Sequence, residues 1–420
     1  MDSRSPVPTR RRVVITGWGL VTPLGLDVAE TWEALQAGRS GIGPVTQVEV
    51  ADLPVRIAGE VKSFDVSAHL PYKVARRTDP YARYALVAAQ EAVEQSKLTI
   101  DQQNAHRVGV LVGSGYGPMK SIADHVRELD AKGPRAVSPM AAVTGAIDSA
   151  AGEVTFATGA MGPSRASSSA CASGADAIGE SLRWIRAGVC DVVITGGADD
   201  IITRVDLAGS GNAKALSTRE GDPAEASRPF DEDRAGFVMA AGAGMLVLES
   251  EEHALARGAT ILAELAGYAA TSDAYHWTAP HPEGVSTRRA IREALADAGL
   301  TPADVDYVNA HGTGTQLNDK TELASLRAEF GDRIERIPVS STKSMTGHMI
   351  GAAGAVEAVI GGLVINHGVV PPTINCHRPI DPSVNFVAHT AQRHQVDTVM
   401  SNSFGFGGHN AVLVLRRWLP

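Results

Sequence analysis

The sequence predicts an α/β protein. Short β-branched runs alternate with amphipathic stretches, 43 of 420 residues are glycine, and strands closed by glycine-rich turns occur in both halves of the chain. Glycine at that density, above the usual ~7%, fits many tight strand-to-helix turns. In chain order, residues 13–16, 108–112, 191–195, 244–248, 307–309, 338–340 and 411–415 are runs with the character of buried strands. Residues 81–95 and 286–298 carry helical spacing, and Gly299 supplies a C-terminal cap to the second. The repetition divides the chain into an N-terminal half, 1–258, and a C-terminal half, 259–420, with no 20–50-residue period to suggest a solenoid. Polar segments 214–236 and 271–285 are expected as surface loops or lids, because Phe230, Tyr275 and Trp277 interrupt them.

Composition narrows the function. A net charge of −9 argues against a nucleic-acid binder that works by phosphate neutralisation. Cys171, Cys190 and Cys376 offer neither an even disulfide framework nor a paired-cysteine metal knuckle, so a reducing, cytoplasmic setting is expected. Residues 1–12 lead into Val13-Val14-Ile15-Thr16-Gly17, which is too short and too β-branched for a signal peptide. No uninterrupted apolar run is long enough to span a membrane. Gly17-Trp18-Gly19 has Thr22 where a dinucleotide fingerprint needs its third glycine, and Gly113-Ser114-Gly115-Tyr116-Gly117 has Pro118 there. Phosphate-loop, serine-hydrolase and zinc-protease motifs are also missing from the sequence.

Four blocks carry chemistry instead. Ser167-Ser168-Ser169-Ala170-Cys171-Ala172-Ser173-Gly174 precedes a helix with Ala175, Ile178, Leu182 and Ile185 on one face, so Cys171 falls at a helix N-terminus. The macrodipole there favours thiolate, and the expected pKa lies below the free value of about 8.5. A thiolate so placed is a nucleophile candidate, against the competing reading of a small buried residue. His311 follows a strand in Val308-Asn309-Ala310-His311-Gly312-Thr313-Gly314-Thr315, and Ser341-Thr342-Lys343-Ser344-Met345-Thr346-Gly347-His348 precedes a helix at 349–365. Each histidine alone reads as a loop residue satisfied by backbone; together with Cys171 and Lys343 they form a reactive set. Metal binding is disfavoured because no ligand pair has short local spacing. Ser403-Phe404-Gly405-Phe406-Gly407-Gly408-His409-Asn410 reads as a loop that approaches a ligand and moves aside, or as a plain hairpin turn.

From 13 to 415 these blocks resemble, in order and spacing, the β-ketoacyl-acyl-carrier-protein synthases, the elongating condensing enzymes of type II fatty acid and polyketide synthesis. The resemblance implies a thiolase fold, with duplicated α/β halves in five α-β-α-β-α layers, usually dimeric. It makes Cys171 the acyl-accepting nucleophile, with His311 and His348 supporting malonyl decarboxylation. Lys343 orders the site with Glu322 as its carboxylate partner. The N–H groups of Cys171 and Phe406 form the oxyanion hole, Phe406 and Phe404 belong to the gate, and Thr313 and Thr315 hold the pantetheine arm. No metal or redox cofactor is implied, because loss of CO₂ makes the carbanion.

The same resemblance separates neighbouring classes. The glycine loop has no second cysteine, unlike thiolases; His348 replaces the asparagine of initiating synthases; and Cys171 is absent from non-catalytic chain-length factors. Tyr116 falls at a position that walls the acyl pocket and is commonly smaller, and His409 stands where threonine is usual. With the His311 block, these features favour a specialised polyketide or polyene role over housekeeping fatty-acid elongation. Lys73, Arg76, Arg77 and Lys214 match positions that contact an acidic acyl carrier protein. The alternatives are a catalytic subunit that requires a chain-length-factor-like partner, or a decarboxylase or starter acyltransferase on the same fold.

Overall fold

The structure is a computed structural model describing residues 10–420, so the first nine residues of the N-terminal half lie outside it. Ten strands form the main sheet. They are β1 (Val13–Val21), β2 (Val108–Gly113), β3 (Ser164–Ser167), β4 (Val192–Asp199), β5 (Gly242–Ser250), β6 (Ala263–Ser272), β7 (Tyr307–Asn309), β8 (Val339–Ser340), β9 (Thr398–Gly405) and β10 (His409–Arg416). Their order across the sheet is β8-β7-β9-β10-β6-β1-β5-β4-β2-β3. Read outward from the middle, each half repeats the other: β1-β5-β4-β2-β3 corresponds to β6-β10-β9-β7-β8. In both, the inner three strands pair antiparallel and the outer three pair parallel. The halves meet where Val14 pairs with Glu264 and Ile15 with Ala263.

Six helices repeat the same plan: α1 (Pro80–Ser96), α2 (Ser149–Thr158) and α3 (Ser173–Arg186), then α4 (Val285–Asp297), α5 (Gln316–Phe330) and α6 (Ala353–His367). Alternate residues of each strand face different layers, as the two-residue period requires. On β10, Val412 and Val414 pack with Ile291, Leu295 and Leu326 of α4 and α5, whereas Leu413 and Leu415 face the middle. On β5, Met245 and Val247 pack with α1, and Leu246 and Leu248 face the middle. That middle layer contains α3, through Ile178, Leu182 and Ile185, and α6, through Val356, Val359 and Leu363. The result is the five-layer α-β-α-β-α arrangement, with α6 apolar all round because sheet lies on both sides of it. Among the described residues one stretch, 350–367, is long and apolar enough to cross a membrane, and it is this buried core helix.

Most expected elements form within a few residues of their predicted bounds. Asp79 caps α1 by accepting the Tyr81 N–H, and Pro80 occupies its first turn. The unpredicted strands are β3, β6 and β9, whose sequences SRAS, AELAGYAATS and TVMSNSFG are rich in small or polar residues. They become strands because the neighbouring ladders need partners, which single-strand propensity does not report. Segment 214–236 is an exposed surface loop over 218–225, as expected, but its later part is buried. Ser227, Arg228, Phe230, Asp231 and Arg234 are buried, and Arg228 pairs with Asp231 while Arg234 donates to the carbonyls of Thr315 and Gln316.

Candidate active site

The duplication brings the chemical residues together. Cys171 lies in a single 3₁₀ turn (Ala170–Ala172) ahead of α3, and His348 lies just ahead of α6, its counterpart. His311 follows β7, and Phe406 lies in the β9–β10 connection. Cys171, His311, His348, Thr313, Phe404 and Phe406 all line one cavity of about 280 Å³. The Thr313 and Thr315 hydroxyls are 3.1 Å apart and both residues line it, as does Lys214.

The turn carrying Cys171 is closely held. Ala170 has φ +51°, a left-handed conformation costly for a residue with a Cβ. Ser173 Oγ donates to the Ala170 carbonyl at 2.6 Å and accepts the Ser169 N–H at 2.9 Å, which offsets that cost. The Phe406 N–H points at the Cys171 sulfur. Burial pushes the thiol up to about 11, with the Phe406 N–H and Lys343 pulling it back only in part. This corrects the expected lowered pKa: desolvation of a sulfur set deep in the cavity wall outweighs the macrodipole, and the 3₁₀ turn intervenes before the α-helix.

His311 and His348 meet edge to face, ring centroids 5.3 Å apart; His311 also contacts Phe404 at 5.9 Å and His348 contacts Phe237 at 5.3 Å. Burial, and then the positive charge of Lys343, holds both imidazoles well below the usual histidine range. Both rings are therefore neutral near pH 7, each with one N–H to donate. Neither nitrogen of His348, nor Nδ1 of His311, has a protein partner.

The carboxylate partner of Lys343 is Glu357 on α6, not Glu322. Glu322 instead accepts the N–H groups of His311 and Gly312 at 2.8 Å each and the Asn402 amide at 3.0 Å. The reason is position on α5. Asp319 and Glu322, one helical turn apart, share a face against the His311 turn, and Asp319 accepts the N–H groups of Thr313, Gly314 and Phe230. Burial raises Glu357 while Lys343 lowers it. Sequence reasoning missed Glu357, Asp319 and Asn402. A lone acid inside the apolar run 353–365 was the available signal for the first, and the i, i+3 acidic pair for the second.

Two other expectations change. Tyr116 stands outside the cavity, 41% exposed, because Asp199 accepts the Gly115 and Tyr116 N–H groups and pins that turn. Arg77 is tied to Glu153 by two hydrogen bonds, at 2.7 and 2.5 Å, so it is not a free docking charge; Lys73 and Arg76 are exposed. His409 pairs with Gly405 across the hairpin, and its ring lies against Gly407. Among the described residues no three His, Cys, Asp or Glu side chains converge as a metal site.

A thiol, two neutral imidazoles and two inward-facing amides on a duplicated α/β frame define an acyl-thioester enzyme of the thiolase fold. Family models agree: residues 10–254 match the β-ketoacyl synthase N-terminal domain and residues 262–377 match the C-terminal domain. The chain belongs to the β-ketoacyl synthase family and is a carbon–carbon bond-forming acyltransferase of it. It is 45% identical to the 3-oxoacyl-[acyl-carrier-protein] synthase 2 of Synechocystis sp. (strain ATCC 27184 / PCC 6803 / Kazusa), over 97% of this chain and 99% of that one. Among solved structures, the ishigamide ketosynthase/chain length factor superposes with TM-score 0.90 at 37% identity, covering 98% of this chain and all of that one. A type II PKS ketosynthase, solved with its acyl-carrier protein and bound to the hexaketide, superposes with TM-score 0.88 at 33% identity, covering 97% and 100%.

Proposed function

We propose that this chain extends an acyl chain carried on an acyl carrier protein by decarboxylative condensation with a malonyl thioester, through an acyl-Cys171 intermediate, in a type II polyketide or polyene pathway. The carrying observation is that Cys171, the Phe406 N–H and two neutral histidines face one cavity. Cys171 sulfur attacks the acyl thioester, the Cys171 and Phe406 N–H groups donate hydrogen bonds to the oxyanion, and the thiol proton leaves with the departing carrier thiol. The malonyl thioester then loses CO₂. The N–H groups of neutral His311 and His348 hold the developing enolate oxygen, which an imidazolium would protonate instead. The enolate carbon attacks the acyl-Cys171 carbonyl and the Cys171 thiolate departs. On this reading no metal or redox cofactor takes part, since CO₂ loss supplies the electron pair.

Lys343 and Glu357 hold the histidine pair in its field, while Thr313 and Thr315 line the path of a pantetheine arm. Lys73, Arg76 and Lys214 are the carrier-docking cations, and the unpaired, buried thiols fit a reducing cytoplasm. The His311 block and the departure at His409 favour the specialised pathway, whereas 45% identity to a 3-oxoacyl-carrier-protein synthase 2 favours housekeeping elongation as the second reading. Strand β3 is the outer edge of the sheet, and Phe156 and Met161 beside it are 81% and 75% exposed. A second copy, or a subunit like a chain-length factor, would cover this edge.

Intact-protein mass spectrometry tests the proposal. Acyl-carrier substrates of graded length should add one acyl group to the wild type and none to Cys171→Ala, and malonyl carrier should then release a β-ketoacyl product. No acylation at any length overturns the reading. Preference for unsaturated or β-keto chains supports the specialised pathway, and a saturated long-chain profile supports the second reading.

A further inference from the structure

Asp176 lies in the first turn of α3, five residues after Cys171, and does not line the substrate cavity. Its carboxylate accepts the Ser169 hydroxyl and, at 2.7 Å, the Tyr268 hydroxyl of β6. Tyr268 is firmly seated. Its ring covers Gly179, where a Cβ would come within 2.2 Å of it; the Arg183 guanidinium stacks on it at 4.8 Å; and its N–H donates to Asp297 at 3.0 Å. Asp176 is therefore fixed from the C-terminal half of the molecule, and it in turn fixes Ser169.

Ser169 begins the strained turn that carries the nucleophile. Its carbonyl accepts the Ala172 N–H at 3.0 Å. At Gly405 a Cβ would sit 3.0 Å from both the Ser169 carbonyl oxygen and the Cys171 nitrogen, so the Cys171 turn and the start of the Phe406 loop touch without slack. His409, opposite Gly405 in the hairpin, lines the same cleft as Asp176. A movement of Ser169 thus shifts the Cys171 N–H and sulfur relative to the Phe406 N–H.

We propose that Asp176 is a positioning residue for the condensing reaction: held by Tyr268, it braces Ser169 and so keeps the Cys171 turn aligned with the Phe406 N–H. The brace does not touch substrate. It sets the geometry of the two donors that meet the oxyanion, where small displacements cost rate rather than binding. This rests on the reading of Cys171 as nucleophile, which Cys171→Ala tests separately.

The experiment measures the single-turnover rate of Cys171 acylation, its KM for acyl carrier, and the melting temperature in Ser169→Ala, Asp176→Asn, their double variant, Ser169→Thr and Tyr268→Phe. Ser169→Ala and Asp176→Asn should each slow acylation about tenfold at unchanged KM, the size of one hydrogen bond lost in the transition state. The double variant should be no slower than the worse single, because both break one link. Ser169→Thr, which keeps the hydroxyl, should stay within about twofold of wild type. Tyr268→Phe keeps the packed ring and should slow acylation about threefold, which keeps the test decisive if Asp176→Asn fails to fold. Full acylation rates in Ser169→Ala and Tyr268→Phe, additive losses in the double variant, or losses confined to KM or melting temperature would overturn the brace. Absence of acylation in the wild type would overturn the Cys171 reading instead.

Discussion

Burial pushes the Cys171 thiol up to about 11, so the resting enzyme holds a neutral sulfur near pH 7. Its alkylation by iodoacetamide should therefore rise about tenfold per pH unit from pH ~7 to ~10. A plateau near the free-thiol value, followed by mass spectrometry of the Cys171 peptide, would contradict the burial argument. The two glutamates of the site should separate in the same way. Glu357→Ala strands the buried Lys343 ammonium and should cost roughly 3–5 kcal/mol in denaturant unfolding. Glu322→Gln leaves that ion pair intact and turns an amide NH₂ toward the His311 or Gly312 N–H. Its loss should therefore appear mainly as slower malonyl decarboxylation, measured as CO₂ release.

Among the elements, β1 and α1 explain the Gly17-Trp18-Gly19 sequence that imitates a nucleotide fingerprint. A Cβ at Gly17 or Gly19 would lie 2.0 Å from the Ala92 or Ala88 carbonyl oxygen of α1. The glycines let helix and strand approach closely, with no phosphate involved. Gly19→Ala should lower stability by roughly 1–3 kcal/mol, read as a fall in melting temperature, because backbone on both sides must shift. An unchanged melting temperature would mean that α1 tolerates a wider separation from the sheet. The same scale explains why α6 reads as apolar all round: the two halves of the main sheet bury it, and Glu357 is tolerated there because Lys343 meets it.

At the scale of the whole molecule, acid stability is concentrated where β5 ends. Glu249 is fully buried; burial raises its pKa, but hydrogen bonds from Arg257, His253 and Thr16 prevail and hold it at about 2, against an ordinary 4.5. Between those values the unfolded chain binds the proton more readily than the folded one. The stabilisation is therefore complete above about pH 5 and lost as pH falls toward 2, and it amounts to roughly 3 kcal/mol. Glu249→Gln should be less stable than wild type by about that much near pH 7. The gap should close in unfolding measurements taken at successively lower pH, and a pH-independent gap would show that packing, not charge, is lost. Because Glu249 links β1, through Thr16, to the helix after β5, through His253 and Arg257, this loss loosens the inner edge of the N-terminal half.

The sequence alone determined the α/β class, the duplication, and the Cys171, His311, His348 and Lys343 set, because each depends on local signals. Those signals are strand runs, glycine turns and helix starts that sterics and backbone hydrogen bonding impose within a few residues. Only the tertiary structure decided that Lys343 meets Glu357 while Glu322 holds the His311 turn, that Arg77 is taken by Glu153, and that Tyr116 stands outside the cavity. It also reversed the expected acidity of Cys171. Ion pairing and desolvation depend on which atoms from distant parts of the chain come within a few ångströms and how much water they exclude, and the packing of the five layers sets both.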